Sequence, residues 1–353
     1  KIKLKGFLYK HTHDEGAIGS EFCDNDKTAE LYYSSSYIYN FAALEITGNV
    51  DVHHFSYDAS SVKNDSVHLF NAINGVLRDD VSTYMCLISL LSLSLQNRCE
   101  NINYVNSNIY NFSEDCLQRF LAVMKQVGVP FVELMLSKEL LDCSLIAEKD
   151  NEVDIIKFNQ LYPGMREVIC INEFRLSETQ LNERETLNIM RLSKIVESQV
   201  MMIKFFEQRF IEFQFENPII SFSKTRSVFR EKFKVCHTAF ENYTILQPDS
   251  ISSIESVSLD FTALRKNLVV FFENFEFEQE CLKLIETDFV STRKTIEDFG
   301  QEDFSNIIII SKYLSFLSGG SKLDFERYKK AKEIFFEIKT RNDNYVKSKE
   351  KTN

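Results

Sequence analysis

The sequence predicts an all-α protein, and three observations carry that reading. Only 10 Gly and 4 Pro interrupt 353 residues, too few for a chain rich in tight turns. Ile189, Leu192, Val196, Val200, Ile203, Phe206, Phe210 and Phe213 recur in steps of three or four, one apolar stripe along a helix that ends at Pro218. The last 31 residues, 323–353, mix charges of both signs, as a solvated or coiled-coil helix does. A chain of this length can bury a sizeable core as one elongated domain or as two.

Taken in order, residues 1–30 begin with Lys1, Lys3 and Lys5 alternating with apolar residues, a pattern for an extended arm. The Tyr-, Ser- and Asp-rich stretch 31–66 shows no clear period. Residues 67–98 predict two short helices separated near Arg78-Asp79-Asp80. In 111–128, Ser113 is placed to cap a helix whose first turn carries Glu114 and Asp115, where carboxylates complement the helix dipole. Short helices and turns follow Pro130. After the long helix come others over 221–243 and 264–296; Gly300 ends that stretch and Gly319-Gly320 separates the last two helices.

Composition excludes more than it assigns. A formal net charge of −11 opposes wholesale binding to a phosphate backbone, so no nucleic-acid partner is expected. The longest apolar run, residues 85–95, is too short and Ser-rich to span a bilayer, and no signal peptide is visible at the start; no membrane is expected. Eight widely spaced cysteines, several beside apolar residues, read as buried free thiols in an intracellular protein. The alternative is a secreted helical protein that pairs them and uses the sequons at Asn64, Asn111 and Asn242.

No residues call for catalysis. The histidine pairs His11/His13 and His53/His54 lack helical i, i+4 spacing, so no metal site is expected. Glycine-rich phosphate loops and nucleophile elbows are missing, and neither an enzyme nor a cofactor is expected.

The order of helices resembles the formin homology 2 domain, the dimeric actin-assembly domain of formins. The resemblance lies in Leu192-Ser193-Lys194-Ile195 followed by "VMMIKFFEQRF", in Asn242-Tyr243 at the end of the next helix, in "SISSIESVSLDFT", and in "NFSEDCLQRFLAVMKQVG" as the knob helix. It implies an elongated helical domain: a lasso-like arm (1–30), a linker or insert (31–110), knob and post-like helices (111–260), and long helices with a coiled-coil region (261–353). It also implies a cytoplasmic, cytoskeletal homodimer that nucleates actin filaments and stays at their barbed ends, with profilin reached only through sequence outside this chain.

By the same resemblance, Phe120 and Ala122 stand at the two places where formins carry the Ile residues of the actin-binding knob, Val123 beside them counts as an actin contact, and Arg265 or Lys266 replaces a missing actin-contacting Lys. Phe7, Leu8, Tyr9 and Ile18 stand for the lasso anchors, with Asn242 and Tyr243 in the receiving post. The family's tryptophans are absent, and Glu241 stands where it uses Gly. Without the resemblance, the helices read as a scaffold or interaction protein with no actin activity.

Overall fold

Apolar runs of four or five residues are too short for helices, and here they build a sheet. The computed structural model describes residues 3–12, 28–33, 37–47, 57–93, 105–142, 147–150, 155–158, 160–161, 167–176, 181–206, 209–215, 217–229, 236–239 and 261–350. Within it the chain divides into two compact units. The smaller comprises 1–54, 143–163 and 200–214; the larger comprises 55–142, 164–199 and 215–353.

In the larger unit, β4 (Ser107–Tyr110), β5 (Phe131–Met135), β8 (Val168–Asn172), β11 (Ile219–Ser223) and β12 (Cys236–Ala239) pair in the order β12-β4-β11-β8-β5, every pair parallel. A parallel strand covered on both faces carries a continuous apolar run instead of an alternating one. "VICIN" and "IISFS" are such runs, and every residue in them is buried. Asn106 fixes the entry to the sheet: its Nδ2 donates to the Val196 carbonyl at 2.9 Å, and its Oδ1 accepts from the Ile219 amide at 2.9 Å.

Nine described helices flank or extend this sheet. Helices α1 (Ala59–Leu77) and α2 (Asp80–Ser92) break at Arg78 and Asp79, where the turn was expected. Helix α3 (Glu114–Val127) starts at Ser113 as expected, the side chain accepting from the Cys116 amide, and ends on Gly128 at φ 76°. Helices α4 (Lys138–Asp142) and α5 (Glu183–Ser198) pack on each other. The C-terminal part is helical: α6 (Phe261–Glu273), α7 (Gln279–Thr295), α8 (Gln301–Leu317) and α9 (Phe325–Glu350). Phe271, Phe272, Phe275, Tyr313 and Phe316 form a ring cluster between them, with centroids 5.2–6.5 Å apart.

Among the described residues, the regular elements of the smaller unit are all strands. Strand β1 (Lys3–Thr12) pairs antiparallel with β3 (Tyr37–Thr47), which pairs antiparallel with β2 (Thr28–Tyr33). Two antiparallel pairs complete it: β6 (Ala147–Asp150) with β7 (Ile155–Phe158), and β9 (Val200–Phe206) with β10 (Arg209–Gln214).

These observations correct the all-α expectation: the protein is mixed α/β. The expected helix to Pro218 stops at Ser198, where Gln199 takes a left-handed conformation at φ 53° with its amide on the Ile195 carbonyl. Beyond it Val200, Ile203, Phe205, Phe210, Ile211 and Phe213 are β-branched or aromatic residues that suit strands, and β9 folds onto β10 with Ile203 opposite Ile211. Steps of three and four also fit these residues, which is how they imitate a helix. The expected helix over 221–243 is replaced, where described, by β11, a turn through 224–229, and β12. The expected helix over 264–296 divides into α6 and α7 around a two-residue parallel bridge, β13 (Glu276–Phe277) with β14 (Lys322–Leu323).

Candidate functional site

In a parallel sheet the strands' carboxyl ends form one rim, and ligands bind where neighbouring connections leave in opposite directions. Here β4 leads across the sheet to β5, while its neighbour β11 leads the other way to β12. Neighbouring strands whose connections lead in opposite directions across the sheet mark a switch, and here it lies between β4 and β11.

The protein fills this place with its own side chains. After β4, Asn111 adopts φ 61°, and Phe112 is fully buried with its amide on the Ser223 carbonyl at 3.2 Å and its ring 5.0 Å from that of Phe222. Ser113 then caps α3, so one amide a phosphate would use is already satisfied, and Glu114 and Asp115 oppose an anion there. No glycine lies between β4 and α3 to admit a ligand against the backbone.

The next two strands carry a buried polar cluster. Asn172 ends β8; its Nδ2 donates to Glu133 Oε1 at 2.9 Å and its Oδ1 accepts from the Phe174 amide at 3.1 Å. Glu173 follows, 7 % exposed. It accepts from the hydroxyl of Ser221, from that of Ser227 at 2.6 Å, and from the Val228 amide at 3.0 Å. Burial raises the Glu173 carboxyl above its ordinary range, and these three hydrogen bonds pull it partly back. Ser227 Oγ in turn accepts from the amide of buried Phe229 at 3.0 Å. The carboxylate thus fastens the turn after β11 from inside while Lys224, Thr225, Arg226 and Val228 remain exposed.

The residues singled out from sequence are not brought together. Phe120 and Val123 are buried on the core side of α3, with the Phe120 ring 5.1 Å from Phe222, whereas Ala122 is exposed. Arg265 donates to the Leu93 carbonyl at 3.3 Å and lies over the Phe261 ring; Lys266 is exposed. Phe7, Leu8 and Tyr9 lie in β1 opposite Ala42, Phe41 and Asn40, so the expected lone arm is one strand of a sheet. Ile18, Asn242 and Tyr243 lie outside the described residues. Sequence reasoning missed Glu173, although an acid directly after "VICIN" marks the end of a buried strand.

Other features narrow the chemistry. Among the described residues, Cys86, Cys116, Cys170 and Cys281 are buried and none of them is in a disulfide, in line with the thiol reading for these four. Among the described residues, no group of three His, Cys, Asp or Glu side chains could hold a metal ion, and no helix is long and apolar enough to cross a membrane.

Fold and rim together define an α/β protein in which the described residues between β4 and β11 fill the sheet's carboxyl end with their own side chains. The model of the mini-chromosome maintenance replisome factor family matches residues 42–342, and the chain belongs to that family. No curated protein matches the chain. Family membership overturns the formin resemblance, and with it actin nucleation, barbed-end binding, the lasso–post homodimer, the profilin link and the cytoskeletal location. The helix order behind that resemblance also fails: the post-like segment 200–239 is strands and turns wherever it is described. The actin and dimer roles given to the eleven residues above had no other basis.

Proposed function

We propose that this chain is a non-catalytic binding factor for mini-chromosome maintenance proteins and acts with the replisome in the nucleus. The observation that carries this reading is the family match across residues 42–342. The filled rim supports the non-catalytic part: among the described residues, Phe112, the Ser113 cap and the saturated Glu173 leave no phosphate cradle at the carboxyl ends of β4, β11 and β8. The net charge of −11 supports a protein partner over a nucleic-acid backbone. The scaffold or interaction protein weighed from sequence fits the same reading.

The test mixes the purified chain with purified mini-chromosome maintenance proteins and follows complex formation by analytical ultracentrifugation. A co-sedimenting complex at micromolar concentration is expected. Independent sedimentation of every component at that concentration removes the reading. A nucleotide-hydrolysis assay on the chain alone should give the buffer rate, and turnover above it removes the non-catalytic part.

A further inference from the structure

We infer that the carboxyl-end rim of β11, β8 and β5 is the docking surface for an acidic segment of the mini-chromosome maintenance partner; this rests on the function proposed above. The register places the ends of these strands at one level, with Phe222 opposite Asn172 and Asn172 opposite Met135. The next few residues of each strand carry exposed cations: Lys224 and Arg226 after β11, Arg175 after β8, Lys138 after β5. Neighbouring strands are only about 5 Å apart, so three loops present these cations side by side.

Glu139 reports the same crowding. Its own amide and Ser137 hold its carboxyl below the ordinary value first, and Arg175 and Lys138 lower it further. Glu133, Glu139 and the buried Glu173 offset at most three of the four cations, leaving this part of the rim positive on a chain of net charge −11. Glu114 and Asp115 lie beyond β4, so the rim is basic across β11, β8 and β5 and acidic at the β4 end. Neither Lys224 nor Arg226 forms an ion pair among the described residues.

The turn that carries Lys224 and Arg226 is held from below. Glu173 takes Ser227 and the Val228 amide, Phe229 is buried, and the Ser223 carbonyl takes the Phe112 amide. Between these anchors Lys224, Thr225 and Arg226 face outward, and Val228 is 41 % exposed, an apolar contact beside the charges. A surface turn fixed in this way loses little freedom on binding, and its charges are already arranged for an acidic partner.

The experiment measures affinity for purified mini-chromosome maintenance proteins at two salt concentrations. It compares the parent with a Lys224→Glu/Arg226→Glu variant, and with a Lys283→Glu/Lys294→Glu variant that makes the same charge change on exposed positions of α7. The expected result is at least about tenfold weaker binding and a flatter salt dependence for the rim variant alone. All three proteins should show the same urea unfolding midpoint.

Parent-like binding by the rim variant overturns the docking surface and leaves the proposed function standing. An equal loss in the α7 variant also overturns it, since net charge alone is then responsible. If the rim variant keeps its protein partner but loses affinity for a DNA duplex, the surface reads phosphates and the inference fails. If the parent binds no mini-chromosome maintenance protein, the functional reading fails and the docking surface with it.

Discussion

Arg341 reaches back 262 residues to Asp79, its two terminal nitrogens 2.7 and 3.0 Å from the two carboxylate oxygens. The side chains are 10 % and 2 % exposed, so the pair is almost wholly out of water. Ser82 Oγ donates to the same carboxylate at 2.5 Å, and Arg341 Nε donates to Glu337 at 2.9 Å. The contact ties the last helix to the start of α2.

Breaking one side of that pair leaves a buried charge uncompensated. Arg341→Ala is expected to cost about 3–5 kcal/mol in urea unfolding, whereas Asp79→Leu with Arg341→Met should recover most of it. A single variant within about 0.5 kcal/mol of the parent sinks the argument, because surface pairs behave that way.

Glu173 makes stability depend on pH with a definite sign. Its folded-state value lies above the ordinary 4.5, so protonation favours the folded form. Its contribution is fully present below about 4.5 and is lost as pH rises through the raised value. Glu173→Gln can turn its oxygen to the Val228 amide and its NH₂ to the two serine hydroxyls. The variant should therefore match or exceed the parent at pH 7 and lose this residue's share of the pH dependence in urea titrations. Glu173→Ala strands the Val228 amide and should cost about 1–3 kcal/mol at least. A Gln variant as damaged as the Ala variant contradicts the account.

Gly319 closes α8 at φ 72°, with its amide on the Phe316 carbonyl and that of Gly320 on the Ser315 carbonyl. A Cβ there would lie 2.6 Å from the Ala59 carbonyl oxygen, which belongs to another helix. Gly319→Ala is expected to cost at least about 1–2 kcal/mol from the left-handed backbone alone, with the clash in addition. Gly128, at φ 76° with open space around its Cβ position, supplies the comparison: Gly128→Ala should cost less. Equal losses at the two sites would falsify the role given to the Ala59 contact.

Thiol reactivity checks the buried cysteines. Burial pushes the Cys116 thiol up to about 11 and raises that of Cys170 further. Iodoacetamide labelling at pH 8, read peptide by peptide, should spare Cys86, Cys116 and Cys170 in the native protein and reach them all in urea. Rapid native labelling of Cys170 would show that β8 is not covered as described.

Tyr328 and Lys332 of α9 meet on Asp288 of α7. Tyr328 donates at 2.9 Å, Lys332 at 2.6 Å, and Lys332 also reaches Thr292 Oγ1 at 2.7 Å. Tyr328→Phe removes one hydrogen bond to a charged acceptor and should cost about 1.5–3 kcal/mol in urea unfolding. A neutral result removes Tyr328 from this contact.

What was legible in the sequence were the ends of helices. Ser113 with Glu114 and Asp115, the break at Arg78-Asp79 and the Gly319-Gly320 turn are local signals, written in the residues that form the cap. The sheet was not legible because its evidence is non-local. "IISFS" is a strand only because "VICIN" lies beside it, some fifty residues earlier in the chain. Gln199 hid the end of α5, because a left-handed stop on a residue other than Gly or Asn carries no compositional mark. The rim residues escaped for a third reason. Lys138, Arg175, Lys224 and Arg226 are ordinary surface cations in the sequence, and only parallel pairing in register makes them neighbours.

The smaller unit leaves the larger one's chain at 143–163 and again at 200–214. At the second departure the gap is already bridged: the Phe215 amide donates to the Gln199 carbonyl at 2.8 Å. The hairpin between them is therefore a graft with a closed stump, and a two-residue turn could replace it without moving either neighbour. A protein trimmed in this way would lose β9 and β10 while keeping the rest of both units, a removal that no cut at a single point in the chain could achieve.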